Sequence, residues 1–363
     1  MIRDRVYQLG IETYKRVSRY HTFNVRQVKV ETTKACNLKC PGCRRNYTQG
    51  TLVTEPGPVH LTPGALWRIL ATTNMMVVRF EGDGEPTCNP HLRELVKMCG
   101  DLGIRSAMTC NGTLLDEKYI KFLEENGMSR IHISFDGATK STFEKLRTGA
   151  DFDKVLYNCS LIGKSNIQLF MNVLLSTSEV VEELPGYPSL AKKVNATGVH
   201  LMKFQAETLE GFQGPNLSLH GEPIKEFVRK AKALGLLYTG TVTETLIHGR
   251  CDDPYTCPYV LLNDDVYPCS YTANLRRSEV FQGEVFKVPY QSYKMGNLKE
   301  RWMRNIWFSK EWQELRGWLR FLEKSRIEPT LESLKTIKRR SSTSSERFAY
   351  CMGCPCIWGE SGL

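Results

Sequence analysis

The sequence predicts an α/β protein: a partial, TIM-like (β/α)6 barrel followed by a small cysteine-rich domain. Apolar, β-branched runs alternate with helical patterns over the first part of the chain, which indicates a parallel sheet covered by helices. Three cysteines stand close together after the first of these runs, and a second group of cysteines occupies the last third. The predicted division is an N-terminal helix over 1–26, the barrel over 27–240 and the cysteine-rich domain over 241–363.

Six runs have the composition of strands. They are VKVETT (28–33), VVRFE (77–81), IRSAMT (104–109), IHISF (131–135), QLFMNVLL (168–175) and VHLMKF (199–204). Helical patterns lie between them; in LTPGALWRIL, Thr62 stands at the N-cap and Pro63 at the first helical position. Barrels of this kind place their chemistry at the carboxyl ends of the strands, so the loops that follow the strands are where functional residues are expected.

Composition limits the class of protein further. The 363 residues carry a net charge of +10, a moderate basic excess, and include 13 cysteines. The N-terminus has charges throughout and no apolar core of a signal peptide, and no run of about 18 apolar residues predicts a membrane span. We therefore expect a cytoplasmic protein whose cysteines bind metal rather than form disulfides.

Cys36, Cys40 and Cys43 form a C-x3-C-x2-C group in CNLKCPGC. Thiolate-rich sites select iron–sulfur clusters or zinc. A 4Fe–4S cluster normally has four cysteine ligands, and the next cysteine is Cys88, so three ligands would leave one iron open. The alternative from spacing alone is a zinc site, although zinc ligands usually come in C-x2-C pairs.

CNLKCPGC, placed directly after VKVETT, resembles the signature of the radical S-adenosylmethionine (radical SAM) family. The resemblance implies that the open iron binds S-adenosylmethionine (SAM). It also implies that an electron from the cluster cleaves SAM to a 5′-deoxyadenosyl radical, which takes a hydrogen atom from the substrate. One departure is Gly42, since an aromatic residue usually precedes the third cysteine of the signature.

The loops after the second, third and fourth strands resemble the cofactor-binding loops of that family. EGDGEP (81–86) is similar to its GGEP motif, with Asp83 at a position where glycine is usual. SFDGATKSTFEKLRTG (134–149) is similar to the stretch in which a serine and an arginine contact the ribose and the carboxylate of SAM. The residues expected at the cofactor are Gly82, Asp83, Gly84, Glu85, Asn111, Ser134, Asp136 and Arg147.

The last third resembles the SPASM and shorter twitch extensions of radical SAM enzymes, which hold auxiliary 4Fe–4S clusters. Cys251, Cys257 and Cys269 match ligands of a first auxiliary cluster, and its fourth ligand is expected from the terminal group Cys351, Cys354 and Cys356. One auxiliary cluster is the main expectation, and two clusters are the alternative. Without the resemblance, the C-terminal cysteines would be interpreted as a structural zinc site. Ser270 replaces the aspartate of sulfatase-maturing members, which argues against that activity.

Two of the remaining cysteines fall near the predicted barrel mouth. Cys88 and Cys110 lie at or just after strand ends, where a thiol could donate a hydrogen atom to a substrate radical. The alternative for both is a small buried hydrophobe.

These features predict a radical SAM enzyme that acts on a peptide or protein by cross-linking, oxidation or epimerisation. The first alternative is a twitch-type dehydrogenase or epimerase acting on an aminosugar-like small molecule, and the second is a non-catalytic cluster-binding protein. Against a ribosomal-peptide substrate, only about 26 residues precede the barrel in this sequence, too few for a leader-recognition domain. A reductant such as flavodoxin or ferredoxin is expected as a partner, and nucleic acid and membrane are not.

Overall fold

The computed structural model describes residues 25–41, 43, 45, 57–71, 73, 75–203, 221–240, 253–274, 278–281, 284–287 and 293–325. The predicted N-terminal helix lies outside these residues, apart from positions 25 and 26. So do four of the predicted ligands: Cys251, Cys351, Cys354 and Cys356.

Seven parallel strands follow one another in the sheet in chain order. They are β1 (Gln27–Glu31), β2 (Val77–Glu81), β3 (Arg105–Cys110), β4 (Met128–Ser134), β5 (Gln168–Leu175), β6 (Gly198–Lys203) and β7 (Leu237–Gly240). The α/β fold class and the six predicted strands are confirmed, with bounds shifted by up to three residues. β7 was not predicted, because its four residues follow a helix end at Gly235 and show no long apolar run.

Eight helices accompany these strands in the described part of the chain. They are α1 (Pro63–Leu70), α2 (Leu92–Asp101), α3 (Glu117–Glu125), α4 (Lys140–Leu146), α5 (Phe152–Gly163), α6 (Ser178–Glu182), α7 (Tyr187–Lys193) and α8 (Glu222–Ala233). Side-chain caps fix several of their starts: Thr62 accepts from the Ala65 amide as predicted, and Asp116 accepts from the Tyr119 amide. No helix in the described part of the chain has the length and apolarity needed to cross a lipid bilayer.

The two faces of the sheet have different chemistry. Sequential parallel strands joined by right-handed crossovers place their helices on one face. On that face, alternate strand residues such as Phe80, Met108 and Ile131 join a single buried apolar core with the helices. The other residues of each strand face inward, and several of them are polar.

The chain after β7 continues the same sheet at its opposite edge. Its elements are α9 (Asp253–Thr256), β8 (Tyr259–Val260), β9 (Asp265–Tyr267), α10 (Ser270–Asn274), β10 (Ser278–Phe281), β11 (Glu284–Lys287), β12 (Gly296–Asn297), α11 (Met303–Trp307) and α12 (Lys310–Ser325). β8 pairs parallel with β1, β9 pairs antiparallel with β8, and β12 pairs antiparallel with β9. β10 and β11 form a separate hairpin.

Side chains reinforce the junction between this part of the chain and the barrel. Arg68 of α1 donates to both carboxylate oxygens of Asp264, at 3.1 and 3.0 Å. The carboxylate of Glu31, at the end of β1, accepts from the Leu262 amide at 3.1 Å. The strand that leads into the cysteine loop is therefore hydrogen-bonded directly to the C-terminal third.

Candidate active site at the carboxyl ends of the strands

The loop after β1 holds Cys36, Cys40 and Cys43 at the carboxyl end of the sheet. Its backbone is fixed by several hydrogen bonds: the Cys43 amide donates to the Cys40 carbonyl at 3.1 Å, and the Lys39 amide donates to the Thr148 carbonyl at 3.0 Å. The second of these bonds ties the loop to the segment that follows α4. All three thiols are half-buried.

Burial shifts the pKa of two of these thiols, Cys36 and Cys43. It raises the pKa of Cys36 to about 11 and also raises the pKa of Cys43, and a charge on Cys40 would raise both further. Across the described residues, no three His, Cys, Asp or Glu side chains lie close enough together to hold a single metal ion. Each cysteine of a 4Fe–4S cluster binds a different iron, so a cluster does not need thiols that meet at one point, as a zinc ion does.

The loop after β2 is joined to the cysteine loop through backbone atoms. The Gly84 amide donates to the Thr33 carbonyl at 3.0 Å, and the Glu85 amide donates to the Ala35 carbonyl at 2.8 Å. A Cβ atom on Gly84 would lie 2.2 Å from the Thr33 oxygen, so only glycine permits this approach. Gly82 has a φ of +134°, a second position that favours glycine, and Asp83 between them is half-buried.

Glu85 is buried, and its carboxylate is used within the protein. One oxygen accepts from the hydroxyl and the amide of Thr87, at 2.5 and 3.1 Å, and the other accepts from the Asn111 amide at 2.6 Å. Burial raises the pKa of this carboxyl, although these hydrogen bonds oppose the rise. Glu85 therefore holds the loop after β2 against the loop after β3.

An amide network connects the same two loops to the cysteine loop. Asn111 Nδ2 donates to Asn37 Oδ1 at 2.9 Å, and Asn37 Nδ2 donates to the Thr113 hydroxyl at 2.9 Å. The Cys88 thiol lies 3.8 Å from the same Asn37 oxygen. Asn37 follows Cys36 directly, so this network fixes the start of the cysteine loop.

Asp136 and Arg147 form a buried ion pair beside the cysteines. Arg147 Nη2 lies 2.5 Å from Asp136 Oδ2, and the guanidinium also hydrogen-bonds the Cys40 side chain. Its Nε is buried without a hydrogen-bond partner in the described part of the chain. The other Asp136 oxygen accepts from the Leu174 amide at 2.7 Å. Ser134 ends β4 just before this pair, opposite Asn172 of β5.

Sequence reasoning missed two residues that hold the Asp136 loop in place. Glu183 accepts from the Ala138 and Thr139 amides, at 2.6 and 3.1 Å, and from the hydroxyls of Thr139 and Thr142. Tyr187 donates its hydroxyl to the Phe135 carbonyl at 2.9 Å and accepts from the Gly137 amide. Both lie more than 40 residues away from the loop, and no local pattern in the sequence marks them.

The two thiols predicted as hydrogen donors lie in different surroundings. Cys110 is buried, and burial raises its pKa well above the ordinary value; the charges of Glu85 and of Cys159 on α5 raise it further, and a charge on Cys110 would in turn act on Tyr119 of α3. Its thiol thus faces the helices, because strand residues alternate between faces and Thr109 takes the inward position. This orientation does not favour Cys110 as a donor. Cys88 is half-buried beside Asn37.

Two of the cysteines predicted for an auxiliary cluster are described, and both are buried. In the antiparallel pair β8–β9, Tyr259 stands opposite Tyr267. Cys257 lies two residues before Tyr259 and Cys269 lies two residues after Tyr267, so both cysteines flank this pair at the same end of the hairpin. The Cys269 sulfur accepts from the Thr272 amide at 3.5 Å.

Comparison with known families accounts for this arrangement. The sequence model described as the radical SAM superfamily matches residues 30–185, and the one described as an iron–sulfur cluster-binding domain, SPASM, matches residues 251–355. The chain carries a radical SAM domain and, after it, a SPASM domain. The first match spans β1 to α6 with all three loops described above, and the two matches together imply SAM, a 4Fe–4S cluster and auxiliary iron–sulfur binding.

Two curated relatives are similar to about half of the chain. It is 28% identical over 53% of its length to an AdoMet-dependent heme synthase from Methanosarcina barkeri, of which it covers 54%. It is 30% identical over 48% of its length to a PqqA peptide cyclase from Gluconobacter oxydans, of which it also covers 48%. The chain spans about half the length of these relatives.

Among solved structures, the chain is similar to SuiB from Streptococcus suis in a complex with the precursor peptide SuiA. The TM-score is 0.60 at 14% identity, with 86% of this chain and 70% of SuiB covered. This likeness shows a shared fold, the radical SAM barrel, and confirms the predicted fold class.

Proposed function

We propose that this chain is a radical SAM enzyme that abstracts a hydrogen atom from a peptide or protein, with Cys36, Cys40 and Cys43 as ligands of the cluster that binds SAM. The main support is the pair of backbone hydrogen bonds from Gly84 and Glu85 to the segment before Cys36. They hold the loop that resembles the methionine-binding motif against the loop that bears the three thiols.

The donor chemistry fits the cofactors that the family implies. Three thiols share one loop, and the Arg147 charge opposes the rise in the pKa of the Cys43 thiol. Among the described residues, the Arg147 Nε has no hydrogen-bond partner, and a guanidinium is well suited to a carboxylate such as that of SAM. When bound, the cluster and SAM supply a one-electron route to hydrogen abstraction from carbon.

The surrounding residues position these groups. Asp136 fixes the Arg147 guanidinium and is itself held by the Leu174 amide. Gly82, Asp83 and Gly84 form a loop whose shape depends on the buried carboxylate of Glu85, and Asn111 links this loop to the cysteine loop. Ser134, at the end of β4, is our proposed contact with the ribose.

An auxiliary 4Fe–4S cluster in the C-terminal domain would be held by Cys251, Cys257 and Cys269, with one ligand from the terminal cysteines. The position of Cys257 and Cys269 at the same end of the β8–β9 hairpin supports the assignment of both to one cluster. The auxiliary cluster would accept an electron released by the product radical. Reductive cleavage of SAM consumes an electron at the other cluster, and a low-potential protein such as flavodoxin or ferredoxin would supply it. We place the enzyme in the cytoplasm.

The peptide class of substrate is supported by the similarity to a PqqA peptide cyclase and by the SPASM match. The similarity to an AdoMet-dependent heme synthase favours a second candidate, an iron tetrapyrrole. The two substrate classes differ in size and chemistry, so direct turnover separates them.

The test begins with SAM cleavage. Anaerobically reconstituted wild type should form 5′-deoxyadenosine under reduction, and the triple variant C36A/C40A/C43A should not. With one auxiliary cluster, the iron content should fall from about eight to about four per chain. C159A, which removes a buried thiol from α5, is the matched control and should keep both properties. Undiminished cleavage by the triple variant would refute the ligand assignment.

The second step identifies the substrate class. The reduced enzyme is incubated with SAM and either a pool of unmodified peptides or an iron porphyrin, and products are read by mass spectrometry. A mass change in peptides only is the expected result. A change in the porphyrin only would replace the peptide proposal with the tetrapyrrole candidate.

A further inference from the structure

The inward face of the barrel carries a polar cluster that the proposed function has not used. His132 of β4, Asn172 of β5 and His200 of β6 lie on this face, which is opposite the helix-packed face. Phe170 of β5 stacks on His132 with ring centroids 5.1 Å apart, and His200 meets His132 edge-on at 6.0 Å. The two imidazoles are thus held in fixed orientations.

Hydrogen bonds use only one nitrogen of each imidazole. His132 Nδ1 lies 2.7 Å from Asn172 Oδ1, and His200 Nδ1 lies 2.8 Å from the Thr239 hydroxyl. No described residue hydrogen-bonds the Nε2 atom of either ring. Burial first, and then the charge of Arg79, lower the pKa of both histidines, that of His132 to about 4. Both rings are therefore neutral at physiological pH.

Arg79 of β2 is the cation that dominates this cluster. Arg79 is in register with Ala107 of β3, which is in register with Arg130 of β4, so Arg79 lies on the same inward face as His132. Its charge lowers the pKa of His132 and of His200. Arg130 of β4 is a second nearby cation, but its guanidinium is engaged: Nη2 donates to Gln168 Oε1 at 2.8 Å, and the group lies over the Phe170 ring.

Arg79 forms an ion pair with Glu81, two residues later on the same strand. The distance from its Nη2 to Glu81 Oε2 is 3.7 Å, longer than a hydrogen bond, and 30% of the Arg79 side chain is exposed, so the guanidinium keeps donors that a ligand can use. Arg130 shows that positive charges crowd this end of the sheet: its pKa is lowered by burial first, and then by the charges of Arg79 and Arg105. Local arrangements that reduce stability are expected where a ligand compensates for them.

The cluster lies next to the proposed cofactor site. His132 precedes Ser134 by two residues on the same face, which corresponds to roughly 6.6 Å along a strand. Asn172, the hydrogen-bond partner of His132, is the register partner of Ser134. Asn172 is also the register partner of His200, so a group bound at this cluster would lie directly beside the proposed cofactor site.

We propose that Arg79, His132, Asn172 and His200 form a substrate subsite that binds one carboxylate, with Arg79 as its charge partner. The proposal rests on the proposed function and adds a substrate feature to it: an acidic side chain close to the carbon that reacts. A carboxylate suits one planar guanidinium, which can bind both of its oxygens. A phosphate dianion is less well suited, since Arg130 is already engaged and the imidazoles are neutral.

Binding can be tested without SAM cleavage, so failure here and failure of the proposed function are distinguishable. The full-length, cluster-reconstituted protein is labelled with ¹³Cε1-histidine, and His132 and His200 are assigned among its seven histidines from H132F and H200F. Titration with N-acetyl-glutamate methylamide should shift both resonances with saturation. The uncharged N-acetyl-glutamine methylamide should not.

Variants separate the role of Arg79 from general effects of charge. R79Q should weaken the glutamate probe at least about tenfold, as expected for loss of a charge-assisted hydrogen bond. R79K keeps the positive charge but lacks the planar guanidinium that can bind both carboxylate oxygens, so it should weaken binding of the glutamate probe less. R93Q is the matched control, since Arg93 lies over Tyr119 on the helix side and should not affect binding. Thermal melting confirms that each variant is folded.

Three results would overturn the proposal: no shift at His132 or His200, equal binding of the glutamine probe, or tighter binding of inorganic phosphate than of the glutamate probe. Propionate distinguishes the sources of a carboxylate. If propionate binds more weakly than N-acetyl-glutamate methylamide, the carboxylate that the subsite binds belongs to a peptide side chain. If the two bind equally, the carboxylate belongs to a small molecule, and the assignment of the carboxylate subsite still holds.

Discussion

Replacing Gly84 by alanine should separate the two loops that hold the proposed cofactors. The added Cβ would lie 2.2 Å from the Thr33 carbonyl oxygen and 2.5 Å from that of Ala35, both backbone atoms that cannot rotate away. The loops must move apart by roughly 1 Å to relieve these contacts. Overpacking of this kind costs about 1–3 kcal/mol, and the two hydrogen bonds from Gly84 and Glu85 add about 1 kcal/mol each.

The functional effect should exceed the effect on stability. A misplacement of about 1 Å can reduce the rate of a catalysed step about 100-fold. We expect G84A to form 5′-deoxyadenosine about two orders of magnitude more slowly than wild type under anaerobic reduction. The apparent melting temperature, followed by circular dichroism, should fall by several degrees.

Gly64 provides the matched control. It lies in α1, and a Cβ atom there would meet nothing within 4 Å. G64A should keep full activity and raise stability by up to about 1 kcal/mol, because alanine favours the helix. If G84A cleaves SAM at the wild-type rate, the close approach of these loops does not position the cofactor, and our main support for the proposed function is lost.

Three further predictions concern other parts of the molecule. The pKa of His132 falls from 6.5 to about 4 on folding, so the unfolded chain binds the proton more tightly. The free energy of unfolding should therefore decrease as the pH drops through this window, by about 2 kcal/mol at pH 5. The melting temperature of H132F should fall less between pH 7 and 5 than that of wild type, and an equal fall in both proteins would contradict this. If a thiol donates hydrogen to the substrate radical, deuterium from heavy water should enter the product. C110A should keep this incorporation because Cys110 faces the helices, whereas C88A should lose it. The reverse result would show that the orientation assigned to Cys110 from strand alternation is wrong. D264N should lower the free energy of unfolding by about 1 kcal/mol, because it weakens the ion pair with Arg68, whose side chain is 43% exposed. An unchanged melting temperature would show that this ion pair does not stabilise the domain junction.

Local patterns explain why much of the barrel could be predicted. Strand–helix alternation gives the parallel sheet, and a threonine before Pro63 marks a helix start because both features act within one turn. The parallel strands also place the cysteine loop and the Asp136–Arg147 segment at one edge, as predicted.

Features that depend on distant contacts could not be read in the same way. Glu183 caps a loop more than 40 residues earlier, and its role depends on how α6 packs. The charge of Arg79 lowers the pKa of His200, although the two residues lie far apart in the sequence. The orientation of Cys110 depends on strand register, and a shift of one residue would reverse it.

The pairing of β8 with β1 has a consequence for folding during synthesis. Lys29 pairs with Tyr259, so about 230 residues must be made before this edge of β1 meets its partner. At about 5–20 residues per second, that interval is roughly 10–50 s. A β1 edge that has not yet met β8 is a site for non-native strand pairing during this time. The thiols of the cysteine loop also leave the ribosome early. A cluster inserted before residue 259 is synthesised would therefore bind to a loop that follows β1 while β1 is still unpaired at one edge.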